Sequence, residues 1–188
     1  MLKWVGGCFV LVVLLIAGGA WFAMRTVRDS LGPDGSVRVS IAASPQRVYA
    51  SMSNADSLKT WMAPGNTITT WRSGPLVVGD SIKVEIRRSL GAAMVWRVRE
   101  LVPDQAVTLD VTQGTTQPVG VRKDSLIASG DSTIVVSVIA SSASESAKSG
   151  TSGLAGDMAI SMFRLQAKLE LQSLKARLES TPPTKTTR

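Results

Sequence analysis

No histidine occurs in this sequence, and Cys8 is its only cysteine. Without imidazole there is no usual general base, no usual zinc ligand and no Ser-His-Asp or Cys-His device. A lone cysteine cannot close an intrachain disulfide, so cysteine usage leaves the redox compartment open. The residues ahead of Cys8 are too few for the apolar region of a lipoprotein signal. Val77-Val78-Gly79-Asp80 has one glycine and no Lys-Ser or Lys-Thr after it, which excludes a phosphate loop. No Cys/His/Asp cluster has metal-ligand spacing. The expectation is no metal, no cofactor and no catalytic residue that can be assigned; whether the chain is an enzyme stays open, with a non-enzyme favoured.

Charge of one sign is in excess, at +7. The basic residues (Arg38, Lys83, Arg87, Arg88, Arg97, Arg99, Arg122 and Lys123 among them) are scattered, and no recognition helix or aromatic RNA-binding motif accompanies them. They read as a solvated basic surface suited to anionic lipid, and nucleic acid is not expected as a partner.

A long uncharged run is present at residues 4–24, "WVGGCFVLVVLLIAGGAWFAM". At ~1.5 Å per residue a helix there reaches about 31 Å, the thickness of a bilayer's hydrocarbon core. Lys3 precedes it and Arg25 and Arg28 follow it, with Trp4 and Trp21-Phe22 at the interfacial depths. The run continues past the small residues at 17–20, which favours a retained single-pass anchor over a cleaved signal peptide. Residues 1–28 are therefore expected to be a transmembrane anchor and residues 29–35 a turn-rich linker. The domain at 36–180 is expected on the extracytoplasmic side, and a tail at 181–188 is expected to be disordered.

Within the domain, Val37, Val39 and Ile41 alternate with Arg38 and Ser40, a half-buried strand. Ser44 reads as an N-cap and Pro45 as the first residue of a helix carrying Val48, Tyr49 and Met52. Ser53 and Asp56 have the spacing of a second helix start, with Leu58, Trp61 and Met62 on its apolar face. Six extended segments follow, at 68–71, 82–86, 94–99, 107–112, 121–128 and 133–140, joined by connections short enough for an antiparallel meander. After a polar loop at 141–153 the period becomes helical. Leu154, Met158, Met162, Leu165 and Leu169 form one stripe; Ile160, Phe163, Ala167, Leu171, Leu174 and Leu178 form another.

The order of strand, two short helices, six strands and one long helix resembles the START-like superfamily (SRPBCC), which includes the polyketide cyclases and dehydrases. The likeness rests on "VRVSIAASPQRVYASMSNADSLKTW", "VGDSIKVEI", "WRVRELVPDQAVTLD" and "LQAKLELQSLKARLES". It implies an α+β helix-grip fold, in which a seven-stranded curved antiparallel sheet wraps the C-terminal helix around a cavity. It also implies a hydrophobic small molecule or lipid as ligand. The alternatives are a cyclase/dehydrase-like enzyme or a ligand-free protein-interaction module. Residues expected to line the cavity are Trp61, Trp71, Met94, Trp96, Met158, Met162 and Leu165, with Tyr49 offering a hydroxyl. Trp61 has a competing reading as a core anchor for the helix pair. Glu100 follows the inward parity of Trp96 and Val98, whereas Glu85 and Asp110 point to solvent.

Overall fold

The computed structural model describes residues 35–85, 93–113, 117–141 and 153–180, and for 113, 117–118, 141 and 153–159 the backbone only. The expected anchor, most of the linker, the polar loop and the tail lie outside the described residues. Among those described, no helix is long and apolar enough to cross a membrane.

Strand β1 (Val37–Ile41) buries Val37, Val39 and Ile41 and exposes Arg38 and Ser40, as its alternation requires. Helix α1 (Pro45–Met52) starts at the Ser44 cap, whose hydroxyl accepts the Arg47 N–H, and Pro45 fills the first turn. Asn54, not Ser53, caps α2 (Ala55–Trp61): its Oδ1 accepts the N–H groups of Asp56 and Ser57. Ser53 instead ends α1, and its hydroxyl donates to the Tyr49 carbonyl.

The remaining strands are β2 (Thr67–Thr70), β3 (Ser81–Glu85), β4 (Ala93–Val102), β5 (Ala106–Gln113), β6 (Gln117–Ser129) and β7 (Ser132–Ser141). They form one antiparallel sheet in the order β1-β7-β6-β5-β4-β3-β2. This is the expected meander, with β1 added at its far side by the pairing of Val37 with Ser137 and Ile41 with Thr133. Strand β6 is longer than the segment read from its residues.

Helix α3 (Gly153–Ser180) packs on β1, β7 and α2. Its buried face is the stripe of Ala167, Leu171, Leu174 and Leu178, with Phe163 packed against the core. Of the other stripe, the described side chains face out: Met162 is 68% exposed, and Leu165 and Leu169 are exposed as well. Two apolar stripes therefore do not mean burial on both sides here. The C-terminal half of α3 also closes the open edge of β1. Glu179 Oε1 accepts the Ala42 N–H at 2.9 Å and Lys175 Nζ donates to the Ser40 carbonyl at 2.7 Å.

Candidate functional site: a polar row inside an apolar interior

The inner face of the sheet is built by alternation. Strand β4 turns Met94, Trp96 and Val98 inward, and β5 turns Val107, Leu109 and Val111 inward. Past Val98 the β4–β5 register shifts at a bulge, and the parity of β4 changes with it. Glu100 is consequently exposed, and its Oε2 accepts from the Thr108 hydroxyl at 3.3 Å.

On β6 the same alternation turns two charged residues inward. Arg122 and Asp124 are each 1% exposed, and Glu170 comes to meet them from α3 at 0%. Arg122 Nε donates to Asp124 at 3.0 Å, and Arg122 Nη1 donates to Glu170 Oε2. The other Glu170 oxygen accepts the Ala63 N–H at 3.1 Å and the Gln166 amide at 3.0 Å. Ala63 holds a left-handed backbone (φ 47°) in giving that N–H to the carboxylate. The guanidinium carbon lies 5.6 Å from the centroid of the Trp96 ring, within cation–π range. Burial alone would lower the Arg122 pKa, but Asp124 and then Glu170 outweigh it and hold it above its ordinary value. Arg122 is therefore a permanent cation.

This row is incompletely satisfied. Arg122 Nη2, Trp96 Nε1 and Ser137 Oγ are buried with no hydrogen-bond partner. Ser137 stands opposite Asp124 across the β6–β7 ladder, and Arg122 stands opposite Leu109 across β5–β6. Between the helix pair and the sheet is a cavity of about 10 Å³. Met52, Trp61 and Met62 wall one side of it, Leu109 stands on the sheet side, and Arg122 and Asp124 are its polar lining. That volume holds about one water.

Of the residues expected to line a cavity, Trp61, Met94 and Trp96 are buried in the core. Trp61 Nε1 donates to the Ser51 carbonyl at 3.3 Å, which ties α2 to α1, and the ring also walls the small cavity. The core-anchor reading of Trp61 is the one its burial and this bond bear out. Tyr49 is half-buried against the core. Trp71 is 72% exposed because it follows β2 in a bend rather than lying in the strand, so it does not face inward. Met162 and Leu165 do not face inward either, since they occupy the outer stripe of α3. Met158 lies on α3 among the residues described by backbone only.

Spacing and composition place Arg122 among the surface cations and leave Asp124, Ser137 and Glu170 unmarked, whereas all four are buried. A signal for them was present. Arg122 and Asp124 share the parity of Leu126, and Glu170 falls inside the stripe from Phe163 to Leu178. Among the described residues, no group of three or more His, Cys, Asp or Glu could hold a metal ion.

The family model described as polyketide cyclase / dehydrase and lipid transport matches residues 33–179. No curated protein matches the chain. Among solved structures, protein Ms6760 from Mycobacterium smegmatis superposes with a TM-score of 0.60 at 14% identity, covering 78% of this chain and 91% of that one. A protein from Arthrobacter aurescens gives 0.59 at 14%, covering 81% and 91%. The Aha1 dimer from Colwellia psychrerythraea gives 0.55 at 22%, covering 77% and 94%. At these identities the likeness is one of fold.

Proposed function

Because the chain belongs to the polyketide cyclase / dehydrase and lipid transport family, we propose that it binds a hydrophobic small molecule or lipid between the sheet and the helices that cover it, starting from the small cavity beneath α1 and α2. We further propose that residues 4–24 tether it to a membrane, with the domain on the extracytoplasmic side. The observation that carries the binding reading is the set of partnerless polar atoms on the inner face: Arg122 Nη2, Trp96 Nε1 and Ser137 Oγ. Each such atom costs about 1–3 kcal/mol in a sealed core, and a bound oxygen or water relieves it. Met52, Leu58, Trp61 and Leu109 supply the apolar wall of the cavity that desolvates a ligand.

A cavity of about 10 Å³ does not admit a bulky molecule as it stands. Entry therefore requires Met52 and Met62 to re-pack, which their unbranched side chains do at low cost. The chemistry available for a cyclase or dehydrase is thin. Asp124 and Glu170 are both engaged by Arg122, so neither is a free base.

Native mass spectrometry of the full chain, purified from its own cells and released from nanodiscs, tests binding. An apolar small molecule that co-purifies in stoichiometric amount is expected. A chain that arrives empty and takes up nothing from a broad panel of lipids and quinones counts against it. Alkaline carbonate extraction tests the tether: the chain should stay with the membrane pellet, and a variant lacking residues 1–28 should not.

A second reading, a ligand-free interaction module, draws on the smallness of the cavity and on the outward stripe of Met162, Leu165 and Leu169. The same panel separates the two, because a module of that kind takes up no ligand.

A further inference from the structure

We infer that the outward stripe of α3, Met162, Leu165 and Leu169, lies on the bilayer interface, beside the headgroups of anionic lipid. The inference rests on the tether reading and names the surface that the tether presents.

The chain enters the domain beside this helix. Gly35, the first described residue, has φ 72° and lies against the guanidinium of Arg164 on α3. A Cβ there would stand 2.9 Å from Arg164 Nη2, so glycine lets the chain pass this close. The uncharged run ends at Met24, and the ten residues 25–34 separate it from Gly35. Fully extended, that length reaches about 35 Å, no more than the width of a domain of this size. The tether therefore holds the flank of α3 at Arg164 close to the membrane.

The stripe next to that flank has the chemistry of an interface. Met162, Leu165 and Leu169 are exposed and follow one another at spacings of three and four, along one side of the helix. Between Ile160 and Lys175 the only acidic residue is Glu170, and it is buried on the other side. Arg164 and Lys168 form the neighbouring row, on the flank from which Lys175 reaches the Ser40 carbonyl of β1. An apolar stripe edged by cations suits a helix lying in the plane of an anionic interface, its apolar side chains among the acyl chains and its basic groups among the headgroups. Trp71 and Val78 are exposed as well, but they follow β2, which is the edge of the sheet opposite to β1 and the entering chain. A fluid interface leaves no packed cavity behind a truncated side chain, so Leu169 can be replaced without unfolding the domain.

The test uses the full chain in nanodiscs of phosphatidylcholine with about one-third phosphatidylglycerol. Cys8→Ser removes the native thiol, and Leu169→Cys, Ile127→Cys or Val78→Cys then carries a polarity-sensitive dye. Leu169 and Ile127 are equally exposed in the domain, at 50% each, and Ile127 lies on the outer face of the sheet, next to the inward Leu126. A difference between the two is therefore made by the bilayer. Nitroxide-labelled lipid is expected to quench the Leu169 dye at least about threefold more than the Ile127 dye, as for a side chain within ~5–10 Å of the boundary between headgroups and acyl chains. Met162→Glu with Leu165→Glu should bring the Leu169 dye to the level of Ile127 while the chain still co-elutes with the discs. Equal quenching at Leu169 and Ile127, stronger quenching at Val78, or quenching that the two glutamates leave unchanged overturns the inference and leaves the tether intact. A Leu169 dye shielded from water yet unquenched means that a protein or a second copy covers the stripe, and it overturns the inference as well. A chain that does not co-elute with the discs overturns the tether and the inference together.

Discussion

Glu170 occupies a place on α3 where leucine would complete the buried stripe, and it is held there by Arg122, Ala63 and Gln166. A buried charge network of this kind is weak support for stability but costly to break. Glu170→Gln removes one partner and is expected to destabilise the domain by about 3–5 kcal/mol, read as a lower urea midpoint at constant m. Replacing Arg122, Asp124 and Glu170 together by Met, Leu and Leu should cost less than that single change. Two exposed carboxylates set the acid side of the stability profile. The Ala42 N–H, and then Lys175, hold Glu179 below its ordinary value of 4.5. The Gly74 N–H, and then Lys59, do the same for Asp56 below 3.8. A depressed carboxyl contributes stability that is fully present above its unfolded-state value and is lost as pH falls through the still lower folded-state value. Glu179→Gln and Asp56→Asn should therefore be less stable than the parent at neutral pH. The difference should shrink below about pH 4, as measured by denaturation across pH.

At the scale of elements, most boundaries were legible because local chemistry writes them. Ser44-Pro45 starts α1, and β1 reads straight from its alternation. Two elements needed more. The bulge between Val98 and Glu100 depends on how β4 meets β5, and no residue within β4 announces it. On α3 both stripes have helical spacing, so periodicity cannot say which of them meets the sheet. The packing chooses the stripe that ends at Leu178. Leu171→Ala should accordingly cost about 2–5 kcal/mol, whereas Leu169→Ala should stay within about 0.5 kcal/mol. Paired thermal melts check this, and equal losses would mean that the outer stripe is covered.

For the whole molecule, the pairing of β1 with β7 is expected to come last, after the meander. Strand β1 finds β7 across most of the domain, Val37 opposite Ser137. Contacts this distant in sequence form against a large loop-closure cost and place such sheets among the slower folders, in milliseconds to seconds. Val39→Ala should speed unfolding while leaving the refolding rate nearly unchanged, since the meander from β2 to β7 can form first. Stopped-flow chevrons on a fragment beginning at Pro33 measure both rates, and slowed refolding would place β1 in the nucleus.

Alternation and helical spacing, which are properties of neighbouring residues, determined the order of elements, the meander and the likeness to a family. They also nominated Trp61, Met94 and Trp96 as inward residues, and all three are buried. Tertiary structure decided the rest. Arg122 looks like any surface cation until β6 turns it inward and α3 brings Glu170 within reach across 48 residues of sequence. Local spacing marks Arg122, Asp124 and Glu170 as inward positions one by one, but it does not pair them, because only the fold brings them together. A charged residue is stable inside a protein only when such partners arrive with it.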